Sequence, residues 1–422
     1  MQSKDKVTYF STALFIGLLI LVTYKSEIVH EGLRRGQYFG YYIIATSLLI
    51  ISISQIFLSK NVLLIFRIVV MSGFISLYLF EFFLTFKQGE KVEAPDKKSY
   101  YKKYRTKNPS AVSTIFKNKI LIDNEEVINL GGISNRLTLH CKELDYWSDY
   151  ISDRYGFNNP DMVWKNDDDK IILVGDSFIQ GACVKSSHTI SQNLRYILPN
   201  KNIIALGMSQ NSLISALGLI KEYVHGSNVK HIFIFYYEGN DLVDLDLEYS
   251  NKILKNYLDN ENFTQNLRYI QNEIDSNLLK FLNSEIEKET SSLKGKIYKF
   301  LTLYNFRNSL ILPYVYTGNL KLFKKVIEKL EKIQELEEMK IHVVYLPEYF
   351  RFVLNKKNNQ NYKEKYKIEK IIKSSKLGYL DLTTTMFYKN DDPLNFFPYK
   401  RYGHYTEQAY KEIANHIKKY LD

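Results

Sequence analysis

Three long apolar stretches stand within residues 9–86, more than one water-soluble core of that length can enclose. They are YFSTALFIGLLILVTY (9–24), YFGYYIIATSLLIISISQIFL (38–58) and VLLIFRIVVMSGFISLYLFEFFLTF (62–86). A helix rises 1.5 Å per residue, so about 20 residues cross a hydrocarbon core about 30 Å thick. The second and third stretches reach that length and the first sits near its lower limit. No small-residue cleavage site follows the first, and two more spans do, which argues against a removable leader. Residues 1–87 are therefore expected to form a transmembrane region of about three helices. Arg67 and Glu81 lie near the ends of the third stretch, where a long side chain can snorkel to the interface. Lys4, Lys6 and Lys60 on the inner side would satisfy the positive-inside tendency and put the rest of the chain outside. Lys25, Arg34, Arg35 and the basic flank 87–107 run against it, but segments leading into large domains are translocated largely regardless of charge.

The chain carries 57 Lys and Arg against 46 Asp and Glu, a net charge of +11. A basic balance suits nucleic acid or an anionic surface. The lysines are spread evenly, with no zinc-finger spacing, RNP-like aromatic box or Arg-rich arm, so a solvated basic surface is expected and no nucleic-acid partner. The two cysteines, Cys141 and Cys183, form no CxxC pair, which argues against a cysteine-based metal site. One disulfide in an exported domain and two separate buried thiols are both open.

Residues 88–114 are polar and rich in Lys and Tyr, with Pro95 and Pro109, and read as a linker. The remainder, 115–422, reads as one domain. Up to Asp168 the pattern is irregular and turn-rich. Then strands and helices alternate. Apolar runs IILVGD (171–176), NIIAL (202–206), HIFIFYYE (231–238), IHVVYLP (341–347) and GYLDLT (378–383) read as strands, with helices near 188–198 and 406–420. Residues 246–316 are polar and helical and read as an insertion. Such alternation means a parallel sheet covered by helices on both faces, with ligands bound beyond the carboxyl ends of its strands.

Three motifs fall at those ends. The first strand runs into Gly175-Asp176-Ser177, and a Ser on a strand-to-helix turn presents its hydroxyl beside helix N–H groups and a positive dipole. The third runs into Gly239-Asn240-Asp241, where a side-chain amide can donate to a developing oxyanion. His404, in RYGHYTEQAY before the last helix, can take the proton of Ser177. Each has a plainer reading: Ser177 as a helix N-cap, Asn240 as a turn residue, His404 as a surface imidazole. Asp176 and Asp241 read as structural, and Glu348, after the fourth strand, as a candidate substrate contact.

In this order the motifs resemble the SGNH (GDSL-like) hydrolase superfamily, and ILVGDSFIQGACV and YYEGNDLVDL are similar to a membrane-anchored bacterial branch of it. The resemblance implies a flavodoxin-like three-layer α/β/α fold. It implies a serine esterase or O-acyl (acetyl) transferase working through an acyl-serine intermediate on an acylated envelope polysaccharide or glycan. Ser177 would be nucleophile, His404 base, and the Ser177 backbone and Asn240 oxyanion donors. No metal or organic cofactor is implied. The expected setting is the bacterial inner membrane, with the domain on the periplasmic or extracytoplasmic side.

Two positions depart from the pattern. The family's Asp, three residues before the His, is here Arg401, so Asp381, Asp391 or Asp392 is needed to orient the imidazole, or a backbone carbonyl does so. The glycine that donates an oxyanion N–H aligns with Gln210 rather than Gly207, and Gln would be strained if the site requires positive φ. Both departures favour an alternative of another class: a catalytically weak or inactive protein of this fold, serving as a binding or assembly factor in envelope polymer biosynthesis. A Cys141–Cys183 bridge would hold the segment around residue 141 across the mouth of the site.

Overall fold

The structure, a computed structural model, describes residues 2–29, 35–89, 97–224, 228–287, 297, 300–303, 306, 319–353 and 363–422. The chain divides into two compact units, Met1–Ala94 with Glu289–Tyr316, and Pro95–Lys288 with Thr317–Asp422. Arg34, positions 90–96 of the expected linker and most of 289–316 lie outside the described residues.

The first unit holds helices Gln2–Thr23, Arg35–Ser54 and Lys60–Gly89. Three spans, Thr8–Val29, Tyr38–Phe57 and Asn61–Thr85, are long and apolar enough to cross a membrane. Their flanks expose Leu14, Ile20, Ile44, Leu64 and Val69, side chains that water would not tolerate in such numbers and lipid accepts. Between the first two helices the buried Ser52 hydroxyl meets Ser11 at 2.6 Å and Thr12 at 2.9 Å. Hydroxyl pairs of this kind join helices where apolar burial supplies no drive. Neither charge of the third span simply snorkels. Arg67 donates to Gln55 Oε1 and Thr8 Oγ1, and buried Glu81 accepts the Phe306 N–H at 2.7 Å. In a low dielectric such partners replace the water each group has lost.

The second unit is built on a five-stranded parallel sheet of β6 (Lys170–Gly175), β7 (Asn202–Gly207), β8 (Val229–Tyr237), β9 (Lys340–Leu346) and β10 (Gly378–Asp381). Its order is β10-β9-β8-β6-β7, the flavodoxin-like arrangement. β-Carbons alternate across a pleat, so each strand feeds two cores. Ile172, Val174, Ile204, Leu206, Ile232 and Ile234 join the core beneath helices Leu213–Tyr223 and Leu320–Glu337. Ile171, Leu173, Ile203, Ala205, Phe233 and Phe235 join the core beneath Ile190–Ile197 and Glu407–Leu421. The result is a three-layer α/β/α unit. β6 is flanked by β7 on one side and β8 on the other, and the chain crosses from β7 back over β6 to β8, so the strand order reverses and a crevice is expected between the carboxyl ends of β6 and β8.

Two boundaries differ from expectation. Residues 97–114 are not linker. Lys97–Lys107 is helical, and Tyr101, only 2% exposed, packs in the core and donates its hydroxyl to Ala111 O at 2.9 Å. The Lys-rich composition hid it, because one aromatic stripe suffices to dock a short helix. The 246–316 segment is not one insertion either. Helices Lys252–Asp259 and Gln271–Glu287 bury Leu254, Tyr257, Ile274 and Leu278 in the unit's own core, whereas Glu289–Tyr316 belongs to the first unit.

The irregular stretch after residue 111 holds short strands. β1 (Val112–Ser113), β4 (Leu137–Leu139) and β5 (Asp149–Ile151) form one small sheet. β2 (Lys119–Ile122) and β3 (Glu125–Ile128) form a hairpin turning on Asp123 and Asn124 at φ 50° and 66°, the left-handed pair a two-residue turn needs.

Tyr101→Ala is expected to destabilise the second unit by about 3–4 kcal/mol, as large-to-small changes at buried aromatics do. Thermal unfolding of the full-length protein in detergent checks this. An unchanged transition would mean that 97–107 does not belong to the fold.

Candidate active site

The turn that carries Ser177 is set by Asp176. Its carboxylate caps the one-turn helix Ser177–Gln180 by accepting the Phe178 N–H at 2.9 Å, and Gly181, at φ 83°, ends it. Ser177 is thus the first helical residue and not the cap, which leaves its hydroxyl free for other work. The helix is only four residues long, so the expected macrodipole is small and local N–H groups are what the turn offers. Gln180, buried, braces the neighbouring loop by accepting Ser209 N–H at 2.9 Å and Ser209 Oγ–H at 2.8 Å.

Ser177 Oγ lies 2.9 Å from His404 Nε2. The other ring nitrogen, Nδ1, lies 2.7 Å from Glu143 Oε1, and the His404 backbone N–H donates to Glu143 Oε2 at 2.6 Å. A carboxylate only accepts, so Nδ1 carries the proton, Nε2 keeps its lone pair, and Ser177 donates to it. The arrangement can move the serine proton onto the imidazole and hold the resulting cation.

Glu143 stands in for the three expected aspartates. Asp392 accepts from Lys400 Nζ at 2.7 Å and from Leu394 N–H. Asp381 pairs with Lys365 at 2.6 Å and caps Thr383. Asp391 is exposed on the segment between them. Arg401, at the family's usual carboxylate position, is exposed as well. Glu143 comes from the loop between β4 and β5, which carries no hydrophobic period to announce it. The one signal near it in the sequence is Cys141. That cysteine is disulfide-bonded to Cys183, with Cα atoms 5.0 Å apart, and so draws the loop to the turn that carries Ser177. Glu143, Cys183 and His404 have ligand atoms within 4.8 Å of one another. The Cys183 sulfur is already bonded to Cys141, and the Glu143 and His404 atoms are bonded to each other, so this donor set is engaged.

The candidate oxyanion donors divide. Asn240 follows β8, and its Nδ2 donates to Asp244 Oδ2 at 2.7 Å. An amide nitrogen has two N–H bonds, so one remains for a ligand. Gln210 is exposed on the loop after β7 at φ 71°. A non-glycine residue there costs on the order of 1–2 kcal/mol. Gly207 is not at the surface of the crevice. It is paired with Gly175 inside the sheet, and a β-carbon there would lie 2.2 Å from Gln180 N. It allows close packing of the sheet against the turn that carries Ser177. Glu348 is placed just after β9, its N–H donating to Glu238 Oε2 at 3.1 Å. Glu238 itself forms a buried bidentate pair with Arg351.

Asp176 and Asp241 are buried side by side under the turns. Burial pushes Asp176 up to about 6, and burial followed by the Asp176 charge holds Asp241 well above the usual carboxylate range.

No family model matches the chain, and no curated protein matches it. It is similar to a number of solved structures at low identity, among them the following. A lipase/acylhydrolase from Enterococcus faecalis is 14% identical over 60% of this chain and 94% of that one, with TM-score 0.34. A member of the lipolytic G-D-S-L family from Veillonella parvula DSM 2008 is 13% identical over 59% and 96%, with TM-score 0.33. An acetyl xylan esterase, AlAXEase, is 12% identical over 60% and 100%, with TM-score 0.33. At that level the chain's own sheet and side chains carry the argument.

Because the Asp176 carboxyl titrates above its ordinary value of 3.8, it favours the folded state most below about pH 4, and that contribution is lost as pH rises through about 6. Asp176→Asn keeps an acceptor for the Phe178 N–H but cannot ionise. It should raise stability by about 2 kcal/mol at pH 7–8 and by little near pH 4. Melting temperatures across that range test it, and a pH-independent difference would count against burial as the cause.

Proposed function

We propose that the chain is a membrane-anchored serine hydrolase of the SGNH type, acting on carboxylic esters. The observation that carries this reading is the unbroken path Ser177 Oγ, His404 Nε2, His404 Nδ1, Glu143 Oε1, with steps of 2.9 Å and 2.7 Å. Ser177 Oγ attacks the ester carbonyl carbon as its proton passes to His404 Nε2. The carbonyl oxygen becomes an oxyanion, stabilised by the Ser177 and Gln210 N–H groups and the second N–H of Asn240. Collapse of the adduct breaks the ester C–O bond, and the departing alcohol takes the proton from His404. Water, or a sugar hydroxyl, then attacks the acyl-serine as His404 takes its proton; the acyl–Oγ bond breaks, the Ser177 oxygen takes that proton back from His404, and an acid or a new ester is released.

The substrate class we propose is an O-acyl, chiefly O-acetyl, group on an envelope glycan, with hydrolysis and transfer sharing every residue named. The apolar N-terminal helices support an enzyme held at a membrane. The disulfide supports an oxidising, extracytoplasmic compartment. The rival reading, an inactive binding or assembly factor, rests on Arg401 and Gln210. Against the first stands Glu143, a carboxylate that meets the imidazole from another segment; the second is the feature that favours the rival, since Gln210 stands at φ 71°.

A fluorophosphonate probe is expected to label the wild-type protein and not Ser177→Ala. Glu143→Gln should lower kcat on p-nitrophenyl acetate by about 10²–10⁴-fold, the range for removing the carboxylate of such a triad. Absence of Ser177-dependent labelling in folded protein would sink the hydrolase reading.

A further inference from the structure

Glu143 sits on a loop without regular structure, and what fixes that loop lies close on either side. At its base, His140 N–H donates to Ser148 O at 2.9 Å and Ser148 N–H to Cys141 O at 2.8 Å. Farther along, Tyr146 donates its hydroxyl to Glu407 Oε1 at 2.5 Å. The one covalent tie is the disulfide, which joins Cys141 to Cys183 across a sequence separation of 42. Cys183 is buried, at φ 60°, in the loop that leaves the nucleophile turn. Its sulfur lies 4.0 Å from His404 Nδ1, the atom that Glu143 grips. Two residues of chain span at most about 7 Å. Fixing Cys141 on the nucleophile's own loop therefore confines Glu143 to the neighbourhood of the imidazole.

We propose that the Cys141–Cys183 disulfide is the positioning element for the Glu143 carboxylate, so that oxidation assembles the Ser–His–Glu path and reduction disassembles it. The inference rests on the hydrolase reading for its effect on turnover, but not for its effect on geometry. The switching step is exchange with a dithiol. A thiolate of the reductant attacks the half-buried Cys141 sulfur, the S–S bond breaks, and Cys183 leaves as a thiolate that takes up a proton. The second thiol of the reductant closes on the mixed disulfide and releases Cys141. Two electrons and two protons pass to the protein, and the reductant ends as a cyclic disulfide. Two free thiols then flank a loop held by the His140–Ser148 and Ser148–Cys141 backbone bonds, the Tyr146–Glu407 bond, the Lys185 ammonium over the Tyr146 ring and the Tyr399–Asp145 bond. Those ties close the loop without directing the carboxylate at residue 143. Activity would follow the redox state of the compartment, with full turnover only where the bridge persists.

The test uses the full-length protein in detergent, oxidised or treated with dithiothreitol, with thiol content read by mass spectrometry. Turnover of p-nitrophenyl acetate is expected to fall about a hundredfold in kcat on reduction, with KM changed by less than about threefold, toward the level left by loss of a triad carboxylate. Cys141→Ser/Cys183→Ser should match the reduced wild type. Glu143→Gln should be slow in both redox states and insensitive to dithiothreitol. Independently of activity, hydrogen exchange at the His404 amide, bonded to Glu143 Oε2, should quicken on reduction to the rate seen in Glu143→Ala. A reduced protein that keeps its kcat and its His404 protection would overturn the proposal. So would Glu143→Gln losing further activity on reduction by the wild-type factor, which would mean general loosening. If oxidised wild type shows no Ser177-dependent turnover, the hydrolase reading has failed, and the His404 exchange rates alone still decide whether the bridge positions Glu143.

Discussion

Glu143 holds His404 at two points, one oxygen on the ring Nδ1–H and the other on the residue's own backbone N–H. One bond alone would let the imidazole swing about its χ angles. Two fix the main chain and the ring together, and with them the tautomer that leaves Nε2 open toward Ser177. The grip needs close approach. A β-carbon at Gly403 would stand 2.7 Å from Glu143 Oε2, so a side chain at that position would displace the carboxylate. Behind the histidine, Thr406 caps the helix Glu407–Leu421, whose buried Tyr410, Ile413 and Ile417 anchor it to the sheet. The imidazole is thus held from both sides, by a loop near the beginning of the domain and a helix at its end.

That convergence explains what the sequence could show and what it could not. The sheet was legible because its strands are buried on both faces and read as continuous apolar runs. All five expected strands are present within a few residues of the expected bounds. Ser177, Asn240 and His404 were legible because a parallel sheet collects chemistry at its carboxyl edge, and each follows a strand or precedes a helix. Glu143 was not. It lies 261 positions before the histidine it serves, between strands of three residues each, where neither periodicity nor a capping pattern marks it. Arg401 and the aspartates at 381, 391 and 392 all lie in the chain leading into His404, whereas the carboxylate that meets the imidazole comes from a distant segment. The cysteine two residues away is the available clue, since a bridge to Cys183 ties the 141–148 loop to the turn that carries Ser177.

The same logic accounts for the misread helix Lys97–Lys107. Its composition is that of a solvated linker, and intrinsic polarity dominated the expectation. Tyr101 is buried in the core, Tyr100 and Tyr104 pack against it, and Tyr100 stacks on Trp147 with ring centroids 4.7 Å apart. A few aromatic contacts are enough to order a basic helix whose remaining side chains face water. Residues 100–104 and 147 therefore help to support the stretch of chain that presents Glu143, although no charge or motif links them to the site.

Beneath the two turns, burial does what pairing does elsewhere in the molecule. Asp176, Asp241 and Asp244 crowd the carboxyl ends of β6 and β8, where a full set of negative charges would be mutually repulsive. Asp241 is held well above the usual carboxylate range, by burial first and then by the Asp176 charge. Its buried Oδ1 has no hydrogen-bond partner among the described residues, which burial penalises most in the ionised form. Asp176 is pushed up to about 6 by burial, with nearby His404 offsetting part of the rise. Desolvation thus raises both carboxyls and lessens the negative charge they would otherwise place beneath the turns that carry Ser177 and Asn240.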